Sequence, residues 1–317
     1  MTRQLTRPLA WAALLLTAAA ILASACSGGN DEPDIGCGGG AFRVTVTLPM
    51  FADFACDVGG EFVTVEALLP LDADPHSFIP ADEDAVLVTE AKLVLYAGLE
   101  LDAPARDFIL THGRGSAQLI AFSKSITSPT AEQPPEDQPR IDAEKAGDNP
   151  YLWLDPNLAL GYIDTARDSL EIIDPEHFNE YRAASADYMA RITELRNDIS
   201  EKLAAVPLED RKFVTLHDSM VHFARRFGFE VTGFLTSPGE TPSDEDIEAL
   251  AAEVQSAGVP AVFTERGYDS AAMQRMADAA GVEMCSLYTD RSDKDAYKYI
   301  DMMEANLAEI ERCLGNG

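Results

Sequence analysis

The sequence predicts an α/β protein of two lobes, each with a mainly parallel sheet flanked by helices, joined by one long rigid backbone helix. Three observations lead there. Short apolar or alternating segments recur between helical ones in both halves of the chain, the pattern of βα units. One uninterrupted amphipathic helix separates the two runs. The 317 residues, 46% of them hydrophobic, suffice for two packed cores.

In the first half, residues 42–48 (FRVTVTL) alternate as a strand does, an apolar-faced helix follows, and residues 63–69 form a second strand. Residues 86–91 read as helix and lead into Leu93-Val94-Leu95-Tyr96, closed by Gly98, while 119–122 make a further short strand. From 123 to 150 the chain holds five prolines and many charges without periodicity, which predicts a loop. Asp174-Pro175-Glu176 is a helix start, with an acid at the N-cap and proline at the first helical position. Phe178, Tyr181, Ala184, Tyr188, Ile192, Leu195, Ile199 and Leu203 then recur at steps of three and four until Pro207. That is one helix of about 30 residues, roughly 45 Å long, more than one lobe needs. It is expected to run along both lobes, since its Ala and Tyr positions make a poor coiled-coil seam. Beyond it, strands at 213–216, 231–235, 261–264 and 283–288 alternate with helices at 218–227, 243–257, 270–280 and 295–313.

The N-terminus has the layout of a secretory signal. Arg3 and Arg7 precede a 17-residue apolar run, 9–25, which ends in the small residues Ala23-Ser24-Ala25 before Cys26. The run is short for a spanning helix. Leu22 to Cys26 resembles a bacterial lipobox with the leucine one place further from the cysteine than usual. Cys26 is therefore expected to carry the lipid as the first mature residue; an ordinary cleaved signal or an uncleaved anchor is the alternative. Residues 27–40 are rich in Gly, Ser and acids, as a flexible tether is. The chain thus divides into a signal (1–25), a lipidated tether (26–40), an N-terminal lobe (41–173), a linking helix (174–206) and a C-terminal lobe (207–317).

Four further cysteines, Cys37, Cys56, Cys285 and Cys313, are an even number in an exported chain and allow three pairings. One bridge per lobe, Cys37 with Cys56 and Cys285 with Cys313, is expected, with free buried thiols as the alternative. No CxxC suggests a cysteine zinc site or a redox pair.

The chain carries 24 basic and 54 acidic side chains, a formal charge of -30. Such a surface repels phosphate, which disfavours nucleic acid and leaves soluble cations as the ligands its field would attract. Position separates the five histidines. His76 follows the strand at 63–69, and His217, Glu265 and Asp290 lie at or just past the ends of the strands at 213–216, 261–264 and 283–288. All four sit at carboxyl ends of predicted parallel strands, where open α/β sheets place ligands. Singly, each has an ordinary structural role. Together, two imidazoles and one or two carboxylates make a nitrogen and oxygen site suited to zinc, manganese or iron. His112, in a loop, and His177, in the first turn of the long helix, read as surface residues. His222 stands about 140° around a helix from His217 and should not share its metal. Enzyme signatures are missing: no HExxH, GxSxG or P-loop occurs, and Gly113-Arg114-Gly115 lacks a third glycine. His217-Asp218-Ser219 is not read as a triad, because adjacent residues rarely converge.

Taken in order, Asp74-Pro75-His76-Ser77-Phe78, the run from Ala91 to Leu101, Leu152-Trp153-Leu154-Asp155-Pro156, His217-Asp218-Ser219, Thr241-Pro242-Ser243, Phe263-Thr264-Glu265 and Leu287-Tyr288-Thr289-Asp290 resemble the solute-binding lipoproteins of zinc and manganese ABC importers. The resemblance runs from Phe42 to Cys313. It implies His76, His217 and Asp290 as metal ligands, with histidine at position 217 the zinc-type choice, and Glu265 as an acid at the site whose role is direct or supporting. One position departs: the family's second histidine is here Tyr151. A phenol, with an ordinary pKa of about 10, is a poorer ligand than imidazole at neutral pH. Three readings follow, in order of preference: Tyr151 stays neutral while a water or Asp148 completes the shell; it binds as phenolate and favours a harder ion such as ferric iron; or tight binding is lost. The His-rich loop of some zinc members is also absent.

The expectation is an extracytoplasmic binding protein, not an enzyme. It would be a monomer held to the membrane by lipid, and would deliver zinc, ahead of manganese or iron, to an ABC permease and its ATPase. The alternatives are a metal-dependent hydrolase, for which Glu265 is the sole candidate base, and a surface adhesion protein on the same fold.

Overall fold

The computed structural model describes residues 35–113, 117–125 and 149–315. The expected signal, the Cys26 anchor, most of the tether, most of the 123–150 loop and Asp148 lie outside them. None of the helices among the described residues is long and apolar enough to cross a membrane.

The N-terminal lobe is a five-stranded sheet in the order β1-β3-β2-β4-β5, formed by β1 (Gly36–Cys37), β2 (Phe42–Val46), β3 (Val63–Ala67), β4 (Leu93–Tyr96) and β5 (Gln118–Ala121). All neighbours are parallel except β1, which pairs antiparallel with β3. Gly36 and Cys37 thus leave the expected tether and join the sheet edge, held by a Cys37–Cys56 disulfide to α1 (Pro49–Gly59). Helices α2 (Ala85–Glu90) and α3 (Ala103–His112) complete the crossovers. His112 is therefore the last residue of a helix rather than a loop residue, half-buried with Nδ1 3.0 Å from the Phe108 carbonyl.

Two helices lie between the sheets where one was expected. The first, α4 (Pro156–Ile173), begins where the Asp155 side chain accepts the Asn157 N–H, with Pro156 at the first helical position. A 3-10 turn, Pro175–His177, then precedes α5 (Phe178–Leu203), the long helix. His177 sits in that turn, stacked on Phe62 and bonded to Asp174, so it is half-buried rather than a plain surface residue. Of the predicted stripe, Tyr181, Tyr188, Ile192, Leu195, Ile199 and Leu203 are buried; Phe178 is instead exposed, with the Arg182 guanidinium over its ring.

The C-terminal lobe is a parallel four-stranded sheet, β7-β6-β8-β9, of β6 (Lys212–Thr215), β7 (Glu230–Phe234), β8 (Ala261–Glu265) and β9 (Glu283–Leu287). Its helices are α6 (Val221–Phe227), α7 (Asp244–Ala257), α8 (Ala271–Ala280) and α9 (Tyr299–Leu314). A capping box at Ser243 and Asp246 starts α7. Cys285 and Cys313 form the second disulfide, tying β9 to α9. Both α6 and α9 start later than expected, because residues 217–220 and 290–298 are spent as loops at the mouth of the sheet.

The largest core cluster spans both lobes, and each lobe has a smaller one of its own. Phe51, Phe54 and Phe122 pack with Tyr162 of α4, Tyr188 of α5 and Tyr299 of α9. The long helix packs on α1, α4 and α9, and so touches both lobes. Asp53 of α1 reinforces this: its Oδ2 accepts the Tyr188 hydroxyl at 2.5 Å and the Tyr299 N–H at 3.0 Å.

Candidate metal centre

The carboxyl ends of β3, β6, β8 and β9 meet where the lobes face each other. The loop after β3 turns on Asp74, whose Oδ1 accepts the His76 N–H at 3.0 Å and whose Oδ2 accepts the Ser77 hydroxyl at 2.8 Å. That turn aims the imidazole across the junction, with His76 Nε2 3.1 Å from Asp290 Oδ2 and 3.1 Å from the Tyr151 hydroxyl. Tyr151 is held just ahead of α4: its N–H is bonded to Asn149, and Asn149 donates to the Asp218 carbonyl and accepts from His222 Nε2. His222 is thus spent on buried support and stands apart from His217.

His217 lies two residues past β6, 4% exposed, its ring centroid 6.5 Å from that of His76. Glu265, the last residue of β8 and 1% exposed, fixes it. Glu265 Oε1 accepts the His217 N–H (3.0 Å) and the Ser219 hydroxyl (2.7 Å), and Oε2 accepts His217 Nδ1 (2.9 Å) and the Thr289 hydroxyl (3.1 Å). A carboxylate has about four lone-pair sites, and four donors fill them. Nδ1 therefore carries the imidazole hydrogen, and Nε2 keeps its lone pair for a cation.

The electrostatics suit positive charge. Burial alone would raise the Asp290 carboxyl, yet hydrogen bonds from His76 and Tyr268 and the nearby imidazoles hold it below the ordinary aspartate value, so it stays ionised. Burial, reinforced by Asp290 and Glu265, pushes the Tyr151 phenol well above 10, so the hydroxyl remains protonated. Burial would lower His217, but the bond to Glu265 and the charges of Glu265, Asp290 and Asp74 raise it.

All five sequence-derived candidates lie at this junction, with Glu265 behind His217, but the ligand atoms of His76, His217 and Asp290 are not all within 4.8 Å of one another. Two contributors escaped the sequence reading. Tyr268, three residues past Glu265, places its hydroxyl 3.0 and 3.2 Å from the Asp290 oxygens and 3.2 Å from Asp74 Oδ1. Trp153 donates Nε1–H to the Thr289 carbonyl at 2.9 Å and fixes the backbone beside Asp290. A strand-end Glu-Arg-Gly-Tyr run was the signal for the first; the second stood inside the Trp-Leu-Asp-Pro segment. Elsewhere, Glu283 lies beside Cys285 and Cys313, but both sulfurs are spent on their disulfide.

Two α/β lobes on a shared core, fixed by a long helix and facing each other across polar groups at their strand ends, define a two-lobed solute-binding protein. Residues 44–313 match the family model of the periplasmic zinc-uptake complex component A, and the chain belongs to that family. It is 25% identical over 295 residues to the manganese-binding lipoprotein MntA of Halalkalibacterium halodurans, covering 91% of this chain and 93% of that one. It is 28% identical over 237 residues to the zinc-binding protein TroA of Treponema pallidum, covering 74% of each. The solved structure of the periplasmic zinc-binding protein TroA superposes with a TM-score of 0.75 at 26% identity, over 86% of this chain and 99% of that one.

Proposed function

We propose that this protein captures a divalent transition-metal ion between His76, Tyr151, His217 and Asp290 and delivers it to an ABC permease driven by an ATPase. The observation that carries the reading is the bond from His217 Nδ1 to Glu265, which leaves Nε2 its lone pair, with the His217 ring centroid 6.5 Å from that of His76 and His76 Nε2 3.1 Å from Asp290. Two imidazoles, one carboxylate and one phenol are a borderline donor set that suits zinc, and manganese or iron as well. Zinc is favoured, because histidine rather than a carboxylate stands at position 217. Its relatives are named for both metals. The phenol pushed above its ordinary pKa supports Tyr151 as a neutral, weak ligand.

The same bonding argues against hydrolysis. A metal hydrolase needs a base free to take a proton from bound water, and every acceptor site of Glu265 is already engaged. The lobes cannot swing widely around a shared core, so capture and release are assigned to the His76 loop and to ligand exchange. A lipid on Cys26 would hold a monomer outside the membrane within reach of its permease.

The test is metal analysis of the mature protein with titration of zinc, manganese and iron into wild type and Tyr151→His. Wild type is expected to retain one equivalent at sub-micromolar concentration, and Tyr151→His to bind zinc roughly tenfold or more tightly than wild type, as imidazole replaces a neutral phenol. Failure of both proteins to hold any of these ions below about micromolar concentration, a binding free energy of about -8 kcal/mol, would sink the uptake reading.

A further inference from the structure

Tyr268 joins the two halves of the centre through a single hydrogen. Its hydroxyl lies within 3.2 Å of both Asp290 oxygens and of Asp74 Oδ1, yet it can donate to only one acceptor at a time. Asp74 is the residue on which the His76 turn is built. We propose, resting on the metal-capture reading above, that Tyr268 is a positioning residue that turns occupancy of the centre into closure of the His76 loop, its O–H re-aiming from Asp290 to Asp74 when a cation engages the Asp290 carboxylate.

The surroundings allow that motion and little else. The Tyr268 ring stands edge-on to His217 with centroids 4.8 Å apart, and the Arg291 guanidinium lies 4.9 Å from the ring centre. Gly267, at φ +84°, lets the chain turn there, and a Cβ in its place would come within 2.8 Å of Arg291. The ring is therefore fixed while the hydroxyl rotates. Without a cation, the buried Asp290 carboxylate needs donors, and Tyr268 supplies one beside His76 and Tyr151. A divalent ion takes over that demand. The O–H is then free to serve Asp74 Oδ1, pinning in place the carboxylate that holds the His76 N–H. The first part of the loop is tied independently, by Arg291 donating to the Asp72 carbonyl and by Ser292 N–H to the Leu71 carbonyl at 3.1 Å. At the other end Ser77 and Phe78 N–H bond to the Asp74 carbonyl, so the His76 N–H is the amide that rests on the Asp74 carboxylate.

The test compares wild type with Tyr268→Phe, which keeps the ring and removes the hydroxyl. Amide hydrogen exchange over residues 70–78 is followed with and without zinc, and zinc release to a chelator is timed. In wild type, zinc should slow exchange of the His76 amide roughly tenfold, the worth of about one hydrogen bond. Tyr268→Phe should lose most of that protection and release zinc roughly tenfold faster, with exchange in the ion-free protein unchanged. Should Tyr268→Phe not fold, Asp74→Asn, which weakens the acceptor, should show the same loss. Zinc-bound Tyr268→Phe with full protection and wild-type release overturns the proposal alone, as does an equal loss of protection with and without zinc. No zinc uptake by wild type overturns it together with the capture reading.

Discussion

Glu265→Gln keeps the shape of the side chain behind His217 and removes its charge and half of its acceptor capacity. The amide oxygen, placed at Oε1, can still accept the His217 N–H and the Ser219 hydroxyl, which share that oxygen already. The amide nitrogen then faces His217 Nδ1 and the Thr289 hydroxyl, where a carboxylate oxygen stood at 2.9 and 3.1 Å. The hydroxyl can rotate to accept. The imidazole has two poor choices: Nδ1–H stays and meets another donor, or the hydrogen moves to Nε2 and blocks the lone pair that would take the ion. Removing such a partner costs about 10–100-fold in metal affinity, or about 1.4–2.7 kcal/mol. Zinc affinity is to be measured against a competing chelator at neutral pH, with melting of the ion-free protein to show that the variant is folded. Unchanged affinity would refute the orienting role. Total loss of binding by a folded variant would refute the indirect one and make Glu265 a ligand itself.

The raised His217 pKa gives two pH slopes of opposite sign. In the ion-free protein its protonated form contributes stability that is fully present below the unfolded value of about 6.5 and is lost as pH rises through the folded pKa. Zinc needs the neutral ring, so affinity should climb through the same window and level off above it; melts and titrations from about pH 6 to about pH 8.5 check both. The disulfides span sequence separations of 19 and 28 residues, and loop-closure entropy assigns about 3 and about 3.6 kcal/mol to them. Paired Cys→Ser variants of either bridge should lower urea midpoints accordingly, and a variant indistinguishable from wild type would contradict the assignment.

The strands were legible because a parallel sheet buried on both faces demands apolar runs, and Leu93–Tyr96 appears where Leu93-Val94-Leu95-Tyr96 places it. The long helix was legible from its stripe, though its ends were not: the proline after Asp174 starts a 3-10 turn first. Helix α4 was missed although Asp155-Pro156 is the same start signal as Asp174-Pro175, and α3 because ten residues with charges among its apolar positions show no clear face. At the candidate site, the meeting of His76, His217 and Asp290 at one junction was readable from their places after strands. The bonding of Glu265 was not, since it depends on hydroxyls of Ser219 and Thr289 that only folding brings to it, although a supporting role was one of the two the sequence left open. Tyr268 was missed for the same reason, its partners lying 22 and 194 residues away in sequence.

The proposed donors divide evenly, His76 and Tyr151 from one lobe and His217 and Asp290 from the other. A captured ion is then a crosslink, and its affinity is a chelate effect: two weak half-sites made strong by the high effective concentration at which the shared core presents one to the other. Separating them by even a fraction of a bond length multiplies the two weaknesses instead. A permease that grips each lobe could therefore unload the ion by leverage alone, without offering a better ligand.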